Sequence, residues 1–370
     1  MTHGSRVGVL AVGILVLAVP GVRAVDRDDI KNSIEKGVSA LKQLQSADGT
    51  WTYAEQFRRG VAFNADAGGK RTVGMTALAG LTLLECGVSP RDPVVRKAVD
   101  YVRESSVMVS DTYSLALDIM FLDLLGEADD VPLIQSLVVR LLAGQNTTGG
   151  WTYDCPPLDA REARRMMADL KQRSEMVARG GLPRKAQRQG DARAVAAEVK
   201  RQLRRLAPVM AHTNASDNSN TQFATLALWV ARRHRLPVEQ ALAKVEKRFR
   251  TTQNADGGWP YITGGFRGGG EPSTASMTCA GLLGMAVGQG VAKAAQDKRA
   301  ADEGRPPRDA TQGPVVRAGL LALGSAIGDP VGRGGRVPAV QEGKVPADDS
   351  YYFLWSLERV GVVYGLDTIG

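Results

Sequence analysis

Apolar residues recur at three-and-four spacing over residues 34–44, 131–143 and 239–250, with polar and charged residues between them. That period predicts amphipathic helices, each burying one face. After each comes a short turn, and a second run of different character follows. Residues 72–87, 221–232 and 273–289 are rich in Ala, Gly, Met and Leu and nearly free of charge. Runs that are apolar on most faces predict helices enclosed by other helices. Two further pairs repeat the alternation, 97–105 with 111–126 and 317–327 with 348–364. No useful length of chain alternates with the strand period of two, so the expected fold class is all-α, with about five helix pairs.

The turns are copies of one another. Gln45, Gly49, Trp51 and Tyr53 match Gln145, Gly149, Trp151 and Tyr153, and match again Gln253, Gly257, Trp259 and Tyr261. The Trp residues stand 100 and 108 positions apart, so internal repetition governs the fold. A lone Asp-Gly before an aromatic would mark a β-hairpin. Three copies, each behind a helical run, instead predict helix ends closed by glycine. A Gln amide can satisfy the free backbone groups of a helix end, and a buried indole N–H needs a carbonyl. Gln45, Trp51, Gln145, Trp151, Gln253 and Trp259 are therefore expected to be structural.

The Gln-x3-Gly-x-Trp pattern, preceded in its first copy by Lys36, Gly37 and Leu41, resembles the repeat of squalene–hopene cyclases and protein prenyltransferase β-subunits. Lys97, Ala98, Tyr101 and Val102 match the front half of that repeat where Gln and Trp are missing. The resemblance covers most of residues 31–364 apart from two insertions. It implies an α/α toroid, in which inner helices surround a central cavity, outer helices wrap them, and the Gln and Trp staple neighbouring layers. About five pairs predict an open or incomplete ring.

Charge and composition add three expectations. His3 and Arg6 precede an apolar run over residues 7–19, and Val22-Arg23-Ala24 offers small residues for cleavage near Ala24, so residues 1–24 read as an export signal. Its removal takes the formal charge from +8 to +6, and the mature chain, 25–370, is expected to be periplasmic or secreted. Cys86, Cys155 and Cys279 show no metal-like spacing and are expected to be free, buried thiols. Residues 158–208 carry fourteen Lys/Arg against six Asp/Glu and predict two amphipathic helices around a Gly-Gly-Leu-Pro turn. This basic insertion is either a solvated hairpin or a contact for an anionic membrane surface. It lacks interleaved aromatics, and with export no nucleic-acid partner is expected. Segments from about 292 to 314 and from 329 to 346 read as loops.

The chemistry implied by the resemblance finds few matching groups. A cyclase would need an Asp-x-Asp-Asp-like acid in its cavity, yet the matching string is Asp26-Arg27-Asp28-Asp29, read as a solvated N-terminus. A prenyltransferase would need zinc, and Asp154, Cys155 and His212 do not reproduce its spacing, so no metal or cofactor is expected. Polar residues instead gather where inner helices begin. Asp111, Asp217 and Asp349 are candidate acids, and Tyr113, Asn218, Asn220, Gln222, Ser276, Tyr351 and Tyr352 are candidate ligand-binding residues. N-capping explains one such residue per helix but not six consecutive polar residues at 217–222. The expected protein is a non-catalytic module binding an apolar or isoprenoid-like ligand or a protein partner. A divergent cyclase or prenyl-handling enzyme and an envelope scaffold are the alternatives.

Overall fold

The structure is a computed structural model that describes residues 26–52, 65–178, 195, 197–206, 216–263, 271–300, 313–327 and 351–369. The proposed export signal, Tyr53, His212, Asp349 and the loop over 329–346 lie outside the described residues. Those residues form twelve α-helices and, in place of strands, a few isolated β-bridges. The all-α class holds.

Helix α1 (Arg27–Gln43) belongs to a separate compact unit, residues 1–43. Asp28 and Asp29 in its first turn and Lys42 in its last complement the helix dipole. Asp26, Asp28 and Asp29 are exposed, as a solvated terminus requires.

The second unit, residues 44–370, holds the other eleven helices. They are α2 (Ala65–Glu85), α3 (Pro93–Ser105), α4 (Thr112–Leu125), α5 (Val131–Gly144), α6 (Ala160–Ala178) and α7 (Ala197–Leu206). Then come α8 (Asn218–Ala231), α9 (Glu239–Thr251), α10 (Ala275–Ala300), α11 (Pro314–Ala326) and α12 (Tyr351–Tyr364). Two boundaries differ from the sequence expectation. Helix α2 starts at Ala65, which leaves Thr72 and Thr76 inside it, and α10 continues to Ala300 through the segment expected to be a loop. Its later residues, Ala-rich with Lys and Gln, sustain a helix without apolar periodicity because their intrinsic preference is helical.

The two helix characters occupy two positions. The apolar helices pack in series, α2 on α4, α4 on α8, α8 on α10 and α10 on α12. Helix α4 is buried on nearly every face. Each amphipathic helix lies against one or two of these, α3 on α2, α5 on α4 and α8, α9 on α8 and α10, and α11 on α10. Helix α3 shows why: Val95, Ala98, Val99 and Val102 form one buried stripe, and Asp92 caps its start by accepting from the Val94 N–H at 2.9 Å.

The repeated turn is one structure built three times. Gln45 Nε2 donates to the carbonyls of Gly49 and Val94, Gln145 Nε2 to those of Gly149 and Ala241, and Gln253 Nε2 to those of Gly257 and Val315. Each Gln thus closes its own turn and grips the first turn of the next amphipathic helix. Gly49, Gly149 and Gly257 have φ of 87°, 85° and 85°. A Cβ at Gly149 would stand 2.5 Å from the Lys244 carbonyl, so the turn demands glycine for space as well as for conformation. Trp151 and Trp259 are fully buried, and their indole N–H groups donate to Leu141 and Phe249 carbonyls at 2.7 and 2.9 Å. A third link was not visible in the sequence. The backbone N–H groups of Trp51, Trp151 and Trp259 donate to the hydroxyls of Thr76, Thr221 and Thr278 on the apolar helices. The separations from Trp to Thr vary, so no fixed spacing advertises the pair.

Among its described residues the basic insertion forms two helices, α6 and α7, as expected, and the turn expected between them lies outside the described residues. Helix α7 packs on α5, and α6 on α3 and the turn after it.

Candidate functional site

The motif tyrosines carry the repeat to the start of the apolar helices. The Thr112 N–H donates to the Tyr153 carbonyl at 2.8 Å, and the Asn218 N–H to the Tyr261 carbonyl at 2.9 Å. These bonds hold the tails of the second and third turns against the N-termini of α4 and α8. The two side chains then meet, with their hydroxyls 2.8 Å apart.

Beside them, side chains from α4, α8 and α12 form a continuous chain of hydrogen bonds. The Tyr113 hydroxyl donates to Ser219 at 2.8 Å, Ser219 donates to Tyr352 at 3.0 Å, and Tyr352 donates to Gln222 Oε1 at 2.5 Å. Gln222 Nε2 donates onward to Ser356 at 2.9 Å. Aromatic rings back this chain. Phe223 stacks on Trp355 with centroids 5.1 Å apart and meets Tyr113 edge-on at 5.1 Å. Tyr352 completes the stack at 6.1 Å from Phe223, and Tyr153 lies 6.2 Å from Tyr113. Tyr113, Phe223, Tyr352 and Trp355 are each half-buried, and Tyr153 is 52% exposed. Burial pushes the Tyr113 and Tyr352 phenols above their ordinary range, so both remain protonated donors.

The candidate acids are largely spent on the framework. Asp217 caps α8, accepting from the Asn220 N–H at 2.7 Å and from Asn220 Nδ2 at 2.8 Å. Asp111 caps α4 through the Ser114 N–H at 2.9 Å, while its second oxygen is buried without a donor. Burial raises the pKa of both carboxyls, against the capping bonds that lower it.

The six polar residues at 217–222 divide by helical position. Asn218 accepts from buried Arg248 and donates to the Pro260 carbonyl, and the Thr221 hydroxyl donates to the Asp217 carbonyl while receiving the Trp151 N–H. Those residues, with Asn220, weld α8 to the neighbouring turns. Asn218 and Asn220 therefore do not face the aromatic cluster as expected, because helix start and turn need their bonds. Ser219, Gln222 and Phe223, three and four positions apart, point into it. Tyr113 and Tyr352 join them. Ser276 is buried in the first turn of α10, and Tyr351 is 91% exposed.

Reasoning from the sequence missed Phe223, Trp355 and Ser356. Their signal was present: the period of α8 puts Ser219, Gln222 and Phe223 on one face, and that of α12 does the same for Tyr352, Trp355 and Ser356. Cys155 and Cys279 are buried free thiols as expected, whereas Cys86 is exposed. Burial pushes the Cys155 thiol up to about 12, which makes it inert. His234 is half-buried, with Nε2 2.7 Å from Asp123. Among the described residues no cluster of His, Cys, Asp and Glu could hold a metal ion.

The arrangement is aromatic and rich in hydroxyls, with the Arg359 guanidinium 3.9 Å from the centroid of the Trp355 ring. It can take an apolar body against rings and hold one polar end, and it offers no base beside a nucleophile. No protein-family model matches the sequence, and no curated protein matches it significantly.

Proposed function

We propose that this is an exported, non-catalytic ligand-binding protein whose second unit is built as an α/α toroid, and whose ligand is an apolar, isoprenoid-like molecule with a hydroxyl end. Support for the ring comes from the unbroken series α2–α4–α8–α10–α12, whose first four members are backed by amphipathic helices, and from the ion pair at 3.1 Å between Arg359 of α12 and Glu85 of α2. The observation that carries the function is the half-buried chain Tyr113–Ser219–Tyr352–Gln222–Ser356 over the Phe223–Trp355 stack. Ring faces bind an apolar chain without directionality, and the phenols and the amide fix its polar end. The test is titration of the protein with geranylgeraniol, following Trp fluorescence. Trp355→Ala is expected to weaken binding at least tenfold, about 1.4 kcal/mol, with the thermal midpoint nearly unchanged. Equal binding by the variant would overturn this reading and favour an envelope scaffold.

One observation favours the cyclase-like alternative. The second oxygen of Asp111 is buried without a donor, and burial raises that carboxyl toward proton-donor use. Incubation with squalene that yielded a cyclised product, lost in Asp111→Asn, would replace the binding reading by an enzymatic one.

A further inference from the structure

The described helices of the insertion, α6 and α7, present two unlike faces. Its inner face is built into the repeat. Val199, Gln202 and Leu206 of α7 and Glu162, Ala163 and Met166 of α6 are buried, and Ser136 of α5 donates to Gln202 at 2.8 Å. Arg205 ties the two helices together, reaching Glu162 at 2.6 and 3.2 Å and Asp159 at 3.8 Å. Two acids that could neutralise the outer face are therefore committed to holding the hairpin shut. The outer face carries Arg161, Arg164 and Lys171 on α6 and Lys200 and Arg204 on α7, all exposed. Asp169 and Glu175 are the exposed acids of α6. Among the cations, Met167 is 42% exposed and Leu170 half-exposed.

We propose that this face docks the protein onto an anionic lipid surface. A solvated hairpin needs no partner for so many like charges, yet here they are held on a fixed surface, where mutual repulsion opposes folding unless an opposite charge compensates. Cations interspersed with an exposed methionine match the headgroup boundary, where long basic side chains meet phosphates and an apolar one dips toward the acyl chains. A single-stranded nucleic acid would call for stacking aromatics on the same face, and the described part of the insertion has none. The inference stands apart from whatever occupies the aromatic cluster.

The experiment is co-sedimentation of the full chain with vesicles of phosphatidylcholine alone and of phosphatidylcholine mixed with phosphatidylglycerol. The apolar run over residues 7–19 acts on both vesicle types alike, so the readout is the ratio between them. Binding is expected to favour the anionic vesicles and to fall steeply with added salt. Each basic residue near such a surface is worth about fivefold in binding, so Arg161→Gln/Arg164→Gln/Arg204→Gln is expected to lose on the order of a hundredfold. Should that variant unfold, Lys171→Gln/Lys200→Gln supplies a milder test, with an expected loss of about twenty-five-fold. Equal binding to both vesicle types, or an unchanged ratio in a folded variant, would overturn the proposal. Binding to heparin with no preference for anionic vesicles would also overturn it, and would assign the face to a soluble polyanion.

Discussion

Two kinds of junction connect successive amphipathic helices. At three of them the Gln-Gly-Trp turn grips the next helix with neutral hydrogen bonds and a buried indole. After α3 the Gln and Trp are missing, and the chain passes through a 3-10 turn, Ser106–Met108, where the Val109 N–H serves the Ser106 carbonyl at 3.2 Å and further donors come from a side chain. Arg140 of α5 fills that role. Its guanidinium donates to the carbonyls of Ser106, Val107 and Val109 at 3.1, 3.2 and 2.5 Å. Arg140 stands five residues before Gln145, as Arg248 stands five before Gln253. Arg248 is likewise buried, yet it serves a stapled junction by binding Asn218 and Thr148. One repeat position thus supplies a cation that local context turns to different uses. A neutral staple can be copied from turn to turn, whereas a buried cation brings an electrostatic cost that differs at each site.

That cost is visible beneath the unstapled junction. Arg140 is fully buried, and burial lowers its pKa to about 10. Asp118 of α4 is also fully buried, and the neighbouring Ser106 hydroxyl and the Arg140 charge only partly offset that burial. Burial therefore raises its pKa well above the ordinary carboxylate range.

Three substitutions separate the two designs. Trp151→Ala has the largest expected effect, about 4 kcal/mol of stability by denaturant unfolding, because a fully buried indole leaves a cavity. A loss under about 1 kcal/mol would show that the motif does not hold the fold. Arg140→Met is expected to cost about 3 kcal/mol, since three carbonyls lose a shared charged donor while the aliphatic stem is kept. An effect no larger than that of a surface substitution would break the parallel between Arg140 and the staple. The smallest effect belongs to Asp118→Asn, whose readout is pH. A carboxyl with a raised folded pKa favours folding fully below its unfolded value, near 3.8, and that contribution is lost as pH rises through the folded value. The variant is expected to match the parent within about 1 kcal/mol at acid pH and to outlast it progressively toward neutral pH. Parallel pH profiles would mean that Asp118 is ionised in the fold.

Much of this architecture was legible along the chain. The three-and-four period located the amphipathic helices, the scarcity of charge marked α2, α8 and α10, and three identical spacings marked Gln45, Gln145, Gln253 and their Trp partners as one device. Helix and turn are local, and their signals lie within a few residues of the structure they specify. The site was legible only in outline. Polar residues at helix starts pointed to the correct end of α4, α8 and α12, but a helix start needs polar caps whether or not it binds anything. Asn218 and Asn220, candidates for a ligand, carry hydrogen bonds of the framework, whereas Phe223 and Trp355, which no helix start singles out, form the ring stack.

The sequence by itself determined that the chain is all-α, repetitive, and joined by glutamine–tryptophan turns, because each of those facts is written in spacing along one helix or one turn. Only the tertiary structure decided which polar residues meet. Tyr113 and Ser219 lie 106 positions apart, and Ser219 and Tyr352 lie 133 apart. No local period links residues at such separations. Their encounter is set by how α4, α8 and α12 pack, and so is the choice of Arg140 to close a turn more than thirty residues before it.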